Sequence, residues 1–152
     1  MMPFIVLIVV TAASRLLGFS GVAYLDGWSA SLAVGLAAMF LLTASAHFQQ
    51  PRRDGLISIV PPQVPRPALL VTVTGVLELL GAVGLLIPPT MIPGIRVAAA
   101  ICLGALLLVM FPANVRAATA RRHPAAPTTP LGLRSALQVA FLAGTVVVAV
   151  AA

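Results

Sequence analysis

Five long apolar stretches constrain the fold of this chain more than any other feature of its sequence. They lie at about residues 3–22, 29–48, 68–87, 95–111 and 133–152. Because the hydrocarbon core of a bilayer is about 30 Å thick, a helix needs about 20 apolar residues to cross it. The stretches are too long for barrel strands and lack their strict alternation of apolar and polar residues. The sequence therefore predicts an all-α, polytopic transmembrane helical bundle, with a four-helix core plus an additional N-terminal helix, forming a single domain over residues 1–152.

The composition excludes a soluble globular protein. Of the 152 residues, 61% are hydrophobic and 8% are charged, whereas soluble domains are about half apolar and about a quarter charged. The net charge of +6 comes from arginines in short loops, without lysine. No basic surface interleaved with aromatic residues is present to bind nucleic acid, so we expect no nucleic-acid partner. A single cysteine, Cys102, excludes a disulfide framework and a Cys-x-x-Cys redox pair.

The loop arginines predict an orientation in the membrane. In a five-span bundle the loops at 49–68 and 112–132 share one face, and they carry Arg52, Arg53, Arg66, Arg116, Arg121 and Arg122. The opposite face has Arg96 and Asp26. Cytoplasmic loops carry the excess of arginine, so we expect the N-terminus inside and the C-terminus outside. The lipid bilayer is then the first partner, in the inner or plasma membrane of the cell.

Two connecting features shape the predicted bundle. The first apolar stretch contains Arg15 and lacks a basic segment before it, which favours a retained helix over a signal peptide. The loop after the second stretch holds five prolines between Pro51 and Pro67, which favour an extended, stiff connection.

Glu78 is the most informative residue for function. It lies near the middle of the third apolar stretch, where a charged side chain costs at least about 2.5–3.5 kcal/mol. Its neighbours three and four residues away on the same helix face are small: Thr74, Gly75, Gly81 and Ala82. Two interpretations stay open. Glu78 either bonds to a neighbouring helix or pairs with Arg15, or it is a polar anchor or proton-handling group in an intramembrane pocket.

Other polar residues are candidates beside Glu78. Arg15 is its natural counter-charge if the first and third stretches pack together. His47 ends the second stretch, and Arg52, Arg53 and Asp54 follow it closely. This group either binds an anionic head group or a quinone carbonyl at the membrane interface, or it is a solvated anchor. No second ligand lies at helical spacing from His47, so we predict no metal site.

Asn114, just after the fourth stretch, and Gln138, in the fifth, are two further candidate pocket residues. Asn114 follows Pro112, and we expect it to cap the end of the fourth helix. In the fifth stretch a stripe at helical spacing consists of Arg134, Gln138, Phe141 and Thr145. This stripe is expected to face the bundle, because Gln138 against lipid is costly.

Four segments in order resemble the DoxX-like family of membrane proteins. Ala46-His47-Phe48, followed by Arg52, Arg53 and Asp54 and by Ile59-Val60-Pro61 and Val64-Pro65, is similar to that family's helix-to-loop signature. Thr74-Gly75-Val76-Leu77-Glu78 with Gly81-Ala82 and Gly84-Leu85-Leu86 resembles its Gly-x-x-Glu helix. Phe111-Pro112-Ala113-Asn114 and Gln138 match later positions. The resemblance covers about residues 33–145, and the N-terminal helix is additional to the family's usual four-helix core.

Some DoxX-like proteins are associated with quinone-linked oxidoreductase systems, including thiosulfate:quinone oxidoreductase. The resemblance therefore implies a non-catalytic or quinone-associated subunit or scaffold that works with redox-enzyme partner subunits. It implies no intrinsic cofactor, and a quinone as the expected ligand. Two alternatives stay open. One is an enzyme of isomerase or reductase type on a lipophilic substrate, with Glu78 as acid/base and His47 assisting; the other is a small transporter whose path is built by a homo-oligomer.

Overall fold

The computed structural model describes residues 1–119 and 123–151, and within them the chain is helical without a strand. The helices are α1 (Met2–Phe19), α2 (Trp28–Phe48), α3 (Arg52–Ile59), α4 (Pro67–Leu86), α5 (Ile95–Thr119) and α6 (Leu131–Ala151). A short 3₁₀ turn at Ala23–Leu25 connects α1 to α2. All but α3 are long and apolar enough to cross a membrane. The predicted multi-pass helical bundle with five spans is confirmed, while Arg121, Arg122 and Ala152 lie outside the described residues.

The first helix ends earlier than predicted. It stops at Phe19 instead of continuing to residue 22. The hydroxyl of Ser20 donates to the Leu17 carbonyl, 2.8 Å away, and Gly21 has a φ of 104°. That left-handed conformation, which glycine tolerates and other residues disfavour, turns the chain out of the helix.

The prolines predict an extended connection after α2. The structure instead has the short helix α3 in this connection. The prolines flank this helix instead of interrupting it: Pro51 precedes its first residue, and Pro61 follows its end. Asp54 lies in the first turn, where the helix dipole stabilises an acidic side chain. Ile59, at the other end, packs against Ala117 of α5. The short helix therefore covers one end of the bundle.

The fourth spanning helix is longer than predicted. Instead of ending at residue 111, α5 continues through Pro112 to Thr119. Proline removes one backbone donor, but spanning helices tolerate it where neighbouring helices and side chains satisfy the freed groups. Asn114 is consequently an interior residue of α5, and the predicted helix cap is wrong.

The core of the bundle is centred on α2. This helix packs against α1, α4 and α6, and α5 closes the ring by contacting α4 and α6. Leu36, Met39 and Phe40 of α2 are fully buried together with Leu85 of α4 and Leu103 of α5. Among the spanning helices α1 packs mainly against α2, with a ring contact from Phe4 to Phe141 of α6, so it lies outside the ring formed by the other four.

The spanning helices alternate in direction, so the bundle has two distinct ends. One end contains the helix termini Met2, Phe48, Pro67, Thr119 and Leu131, and we call it the cavity end. The opposite end, where α1 meets the 3₁₀ turn, is called the far end. The helix α3 lies at the cavity end, between α2 and α4.

The helices α2 and α4 approach each other closely at Gly75. A Cβ built there lies 2.6 Å from the Cβ of His47, which is too close for ordinary packing. We expect Gly75→Ala to lower the free energy of unfolding by about 1–3 kcal/mol, because overpacking forces the two helices apart. Thermal unfolding in detergent measures the loss.

Gly132→Ala is the matched control, since no atom lies within 4 Å of a Cβ at that position. Equal melting temperatures for the two variants would show that α2 and α4 do not pack as closely as described.

Candidate functional site

A cavity of about 510 Å³ opens in the cavity end of the bundle, with walls from α2, α4, α5 and α6. Most of its lining is apolar and includes Met39, Phe40, Leu107, Met110, Leu137 and Phe141. Its rim contains the first residues of α1, Arg52 and Leu56 of α3, and Pro127 and Thr129 of the loop before α6. Small-molecule sites have this size and this apolar lining with a few polar groups.

His47 and Glu78 form the first polar wall of this cavity. The Nε2 atom of His47 lies 3.6 Å from the Oε1 atom of Glu78, and both side chains are buried. Helical side chains lean toward the N-terminus of their own helix. Since α2 and α4 are antiparallel, His47 leans inward from the end of α2, while Glu78 leans outward from mid-α4. The two groups therefore meet at one level, although their helix positions differ.

The imidazole of His47 is held in one tautomer. Its Nδ1 atom lies 2.7 Å from the carbonyl oxygen of Val71, and a carbonyl accepts hydrogen bonds without donating them. Nδ1 therefore carries a proton, and Nε2 faces Glu78. The hydroxyl of Thr74 lies 3.2 Å from the same Nδ1 atom, so Thr74 positions the ring from behind instead of lining the cavity.

Thr43 satisfies Glu78 in either protonation state. Its hydroxyl lies 2.7 Å from Oε2 of Glu78 and 3.1 Å from the carbonyl oxygen of Phe40. The single hydroxyl proton is donated to Oε2 when Glu78 is ionised. When Glu78 carries a proton at Oε2, it donates to Thr43, which then donates to Phe40. The Oε2 atom can thus gain or lose a proton without losing its hydrogen bond to Thr43.

Asn114, Gln138 and Arg134 form the second polar wall. The Nδ2 atom of Asn114 donates to Oε1 of Gln138 over 3.3 Å, and Nη1 of Arg134 donates to Oδ1 of Asn114 over 3.0 Å. The amide of Gln138 in turn donates to the Leu107 carbonyl at 2.6 Å. Thr145, further along α6, is also buried. The predicted inward orientation of the α6 stripe is confirmed, and Asn114 links α5 to α6 instead of capping a helix.

Most of the chain matches one known protein family. Residues 36–149 match the family described as a domain of unknown function, DUF8561. The chain is a member of DUF8561. No curated protein and no solved structure matches it. The matched region begins within α2 and ends within α6, so it contains both polar walls of the cavity and leaves α1 out.

In this DUF8561 member, Arg15 is not a pocket residue, and the predicted pairing with Glu78 is wrong. Its Nη1 atom lies 3.4 Å from Oδ1 of Asp26, at the far end of the bundle. Its guanidinium also stacks over the rings of Phe19 and Trp28, at 3.9 and 5.6 Å from their centroids. The pairing fails because α1 packs on α2 and not on α4.

The predicted interfacial group of Arg52, Arg53 and Asp54 is divided by α3. Arg52 lines the cavity rim. Arg53 donates from Nη1 to the His47 carbonyl at 2.7 Å, and from Nη2 to the Thr72 hydroxyl at 3.0 Å. Asp54 accepts a hydrogen bond from Gln50 at 3.0 Å. Arg53 therefore connects the end of α2 to the start of α4 and supports His47 from outside the cavity.

Two arginines were not among the candidate pocket residues although they are important in the fold. Arg134 lines the cavity; its signal in the sequence is its place in the polar stripe of α6. Arg96 is buried at the far end, where it donates to the Leu85 carbonyl at 3.1 Å and to the Tyr24 hydroxyl at 2.9 Å. A lone arginine at the start of an apolar helix is the only sequence signal for Arg96.

A double-mutant cycle tests whether His47 and Glu78 interact as the geometry indicates. We expect His47→Leu and Glu78→Leu each to destabilise the protein, because each leaves a buried polar partner unpaired. The coupling free energy between them is expected to be about 1–3 kcal/mol. Unfolding in detergent, followed for the two single variants and the double variant, measures it.

Arg15 and Asp26 supply the control pair, since the Asp26 side chain is 73% exposed and exposed pairs contribute about 0–1 kcal/mol. Additive effects at His47 and Glu78 would contradict the described contact.

Proposed function

We propose that this protein is a membrane subunit that binds the head group of a lipophilic ligand, with a quinone as the best match, inside the cavity. A single observation carries this proposal: one apolar cavity has a carboxyl–imidazole pair on one wall and an amide–guanidinium network on the other. A quinone has an apolar ring with carbonyl oxygens at opposite edges. Each edge then meets a group that can donate a hydrogen bond: on one side Glu78 when its proton is on Oε1, while Oε2 accepts from Thr43, and on the other side Arg134.

The proposal places the protein beside redox-enzyme partner subunits as a scaffold or ligand-holding component. Its support is the resemblance of the His47 segment and the Glu78 helix to DoxX-like proteins, some of which are associated with quinone-linked oxidoreductases. Membership of the DoxX-like family remains a prediction. The arginines of α3 and its flanking loop lie at the cavity end, so the positive-inside rule places the cavity mouth on the cytoplasmic side of the cell membrane.

A second candidate function is an enzyme that acts on a lipophilic substrate. The observation that favours it is the pair of alternative hydrogen-bond patterns around Glu78, which suit a group that gives and takes a proton. In this case His47 Nε2 is the neighbouring acceptor. Turnover of an added quinone or enone that is lost in folded Glu78→Gln distinguishes this function from simple binding.

Analysis of co-extracted small molecules tests the binding function. Wild-type protein extracted in mild detergent is expected to carry quinone detectable by mass spectrometry. Glu78→Gln is expected to carry about tenfold less, because the amide N–H of glutamine is a weaker hydrogen-bond donor than the O–H of a carboxylic acid.

Asp26→Asn is the matched control, since it makes the same chemical change at the far end of the bundle. Each variant is first shown to unfold cooperatively. Quinone that is absent from the wild type, or equally abundant in folded Glu78→Gln, would refute the proposed function.

A further inference from the structure

Arg134 is a cation in the cavity wall that has no acidic partner among the described residues. The chain has three carboxylates, and each is engaged elsewhere: Asp26 with Arg15, Asp54 with Gln50, and Glu78 with Thr43 and His47. Arg134 donates from Nε to the Thr129 carbonyl at 2.9 Å, and from Nη1 to the amide oxygen of Asn114. Both acceptors are neutral, so nothing within the described residues compensates its charge.

The remaining nitrogen of Arg134 has no acceptor. Its Nη2 atom is buried, and no hydrogen-bond partner for it lies among residues 1–119 and 123–151. A buried donor left unpaired costs free energy, more so when it belongs to a charged group. Arg134 lines the cavity, so an anionic group that enters the cavity can compensate the charge of the guanidinium.

The guanidinium is also fixed in orientation. The two hydrogen bonds from Nε and Nη1 define its plane, and Asn114 is in turn held by Gln138, which is anchored to the Leu107 carbonyl. A guanidinium held in this way binds an oxygen with little further loss of side-chain entropy.

We propose that the guanidinium of Arg134 is the binding site for an oxyanion carried on an apolar body, so that the preferred ligand of the cavity is an acidic amphiphile. The oxyanion is a quinone enolate or an alkyl carboxylate, since both present a charged oxygen on an apolar body. The proposal rests on the proposed function only in placing the ligand in the same cavity. Arg52 at the rim adds a second positive charge on the way in, whereas Glu78 lies on the other wall.

Three probes test this proposal on the full chain in detergent: a 2-hydroxy-3-alkyl-1,4-naphthoquinone, which is an enolate at neutral pH, its 2-methoxy counterpart, and dodecanoate. The enolate is expected to bind the wild type about tenfold or more tightly than the methyl ether, because hydrogen bonds to charged groups contribute more than neutral ones. Arg134→Gln is expected to remove this preference, because it weakens binding of the enolate much more than binding of the methyl ether, to which the glutamine amide can still donate a neutral hydrogen bond.

Arg66→Gln is the control, since it removes one positive charge from an exposed position at the same end of the bundle and is expected to keep the preference. If Arg134→Gln does not fold, Arg134→Lys decides: it keeps the charge but loses the planar fork. It is expected to bind the enolate more weakly without a change for the methyl ether, and unchanged affinities for both would overturn the proposal.

The outcomes separate this proposal from the proposed function. Equal binding of the two naphthoquinones to the wild type, or a preference that persists in Arg134→Gln, overturns the assignment of Arg134 and leaves quinone binding intact. Binding of dodecanoate that depends on Arg134, with no binding of either naphthoquinone, supports the assignment and refutes the quinone function. Absence of binding by all three probes overturns both.

Discussion

The contact between His47 and Glu78 is the interaction on which the rest of the site depends. A carboxyl group in the middle of a spanning helix needs a partner, and α4 supplies none of its own on that face, where its neighbours are Gly75, Gly81 and Ala82. Gly75 lets α2 approach until the imidazole reaches the carboxyl group, while Gly81 faces Leu103 of α5. The same approach brings Thr43 against the second carboxyl oxygen. One polar group in an apolar helix thus determines which helix lies beside it and at what level.

The cavity follows from the ends of the helices around this contact. The residues that fix His47, namely Val71, Thr74 and Arg53, all lie outside the cavity, so Nε2 and the carboxyl group are left facing inward. On the opposite side α5 continues past Pro112, which brings Asn114 level with Gln138 and Arg134. If α5 ended where its apolar stretch ends, the second polar wall would have no α5 partner. The proposed binding of an amphiphile rests on these two polar walls across an apolar space.

The sequence predicts the five spans well because bilayer thickness sets helix length directly. It also identifies Glu78, His47, Asn114 and Gln138 as candidates, since polar groups in apolar helices are expensive and few. It does not identify which helices are neighbours, and for that reason Arg15 is wrongly paired with Glu78. It also misplaces helix ends near proline: α3 forms between prolines, and α5 continues through one, because tertiary contacts at Ile59 and Ala117 outweigh local propensity. The burial of Arg96 and Arg134 depends on tertiary contacts in the same way.

Photoaffinity labelling in native membranes tests most directly whether the cavity is a ligand site. A photoreactive quinone analogue is expected to label residues that line the cavity, such as Met110 of α5 and Phe141 of α6. Excess unlabelled quinone is expected to suppress this labelling. The adjacent Val109 is 72% exposed on the surface of the bundle and is expected to remain unlabelled at the same probe concentration. Labelling confined to exposed positions such as Val109 and Val150, without competition, would contradict a ligand site between His47, Glu78 and Arg134.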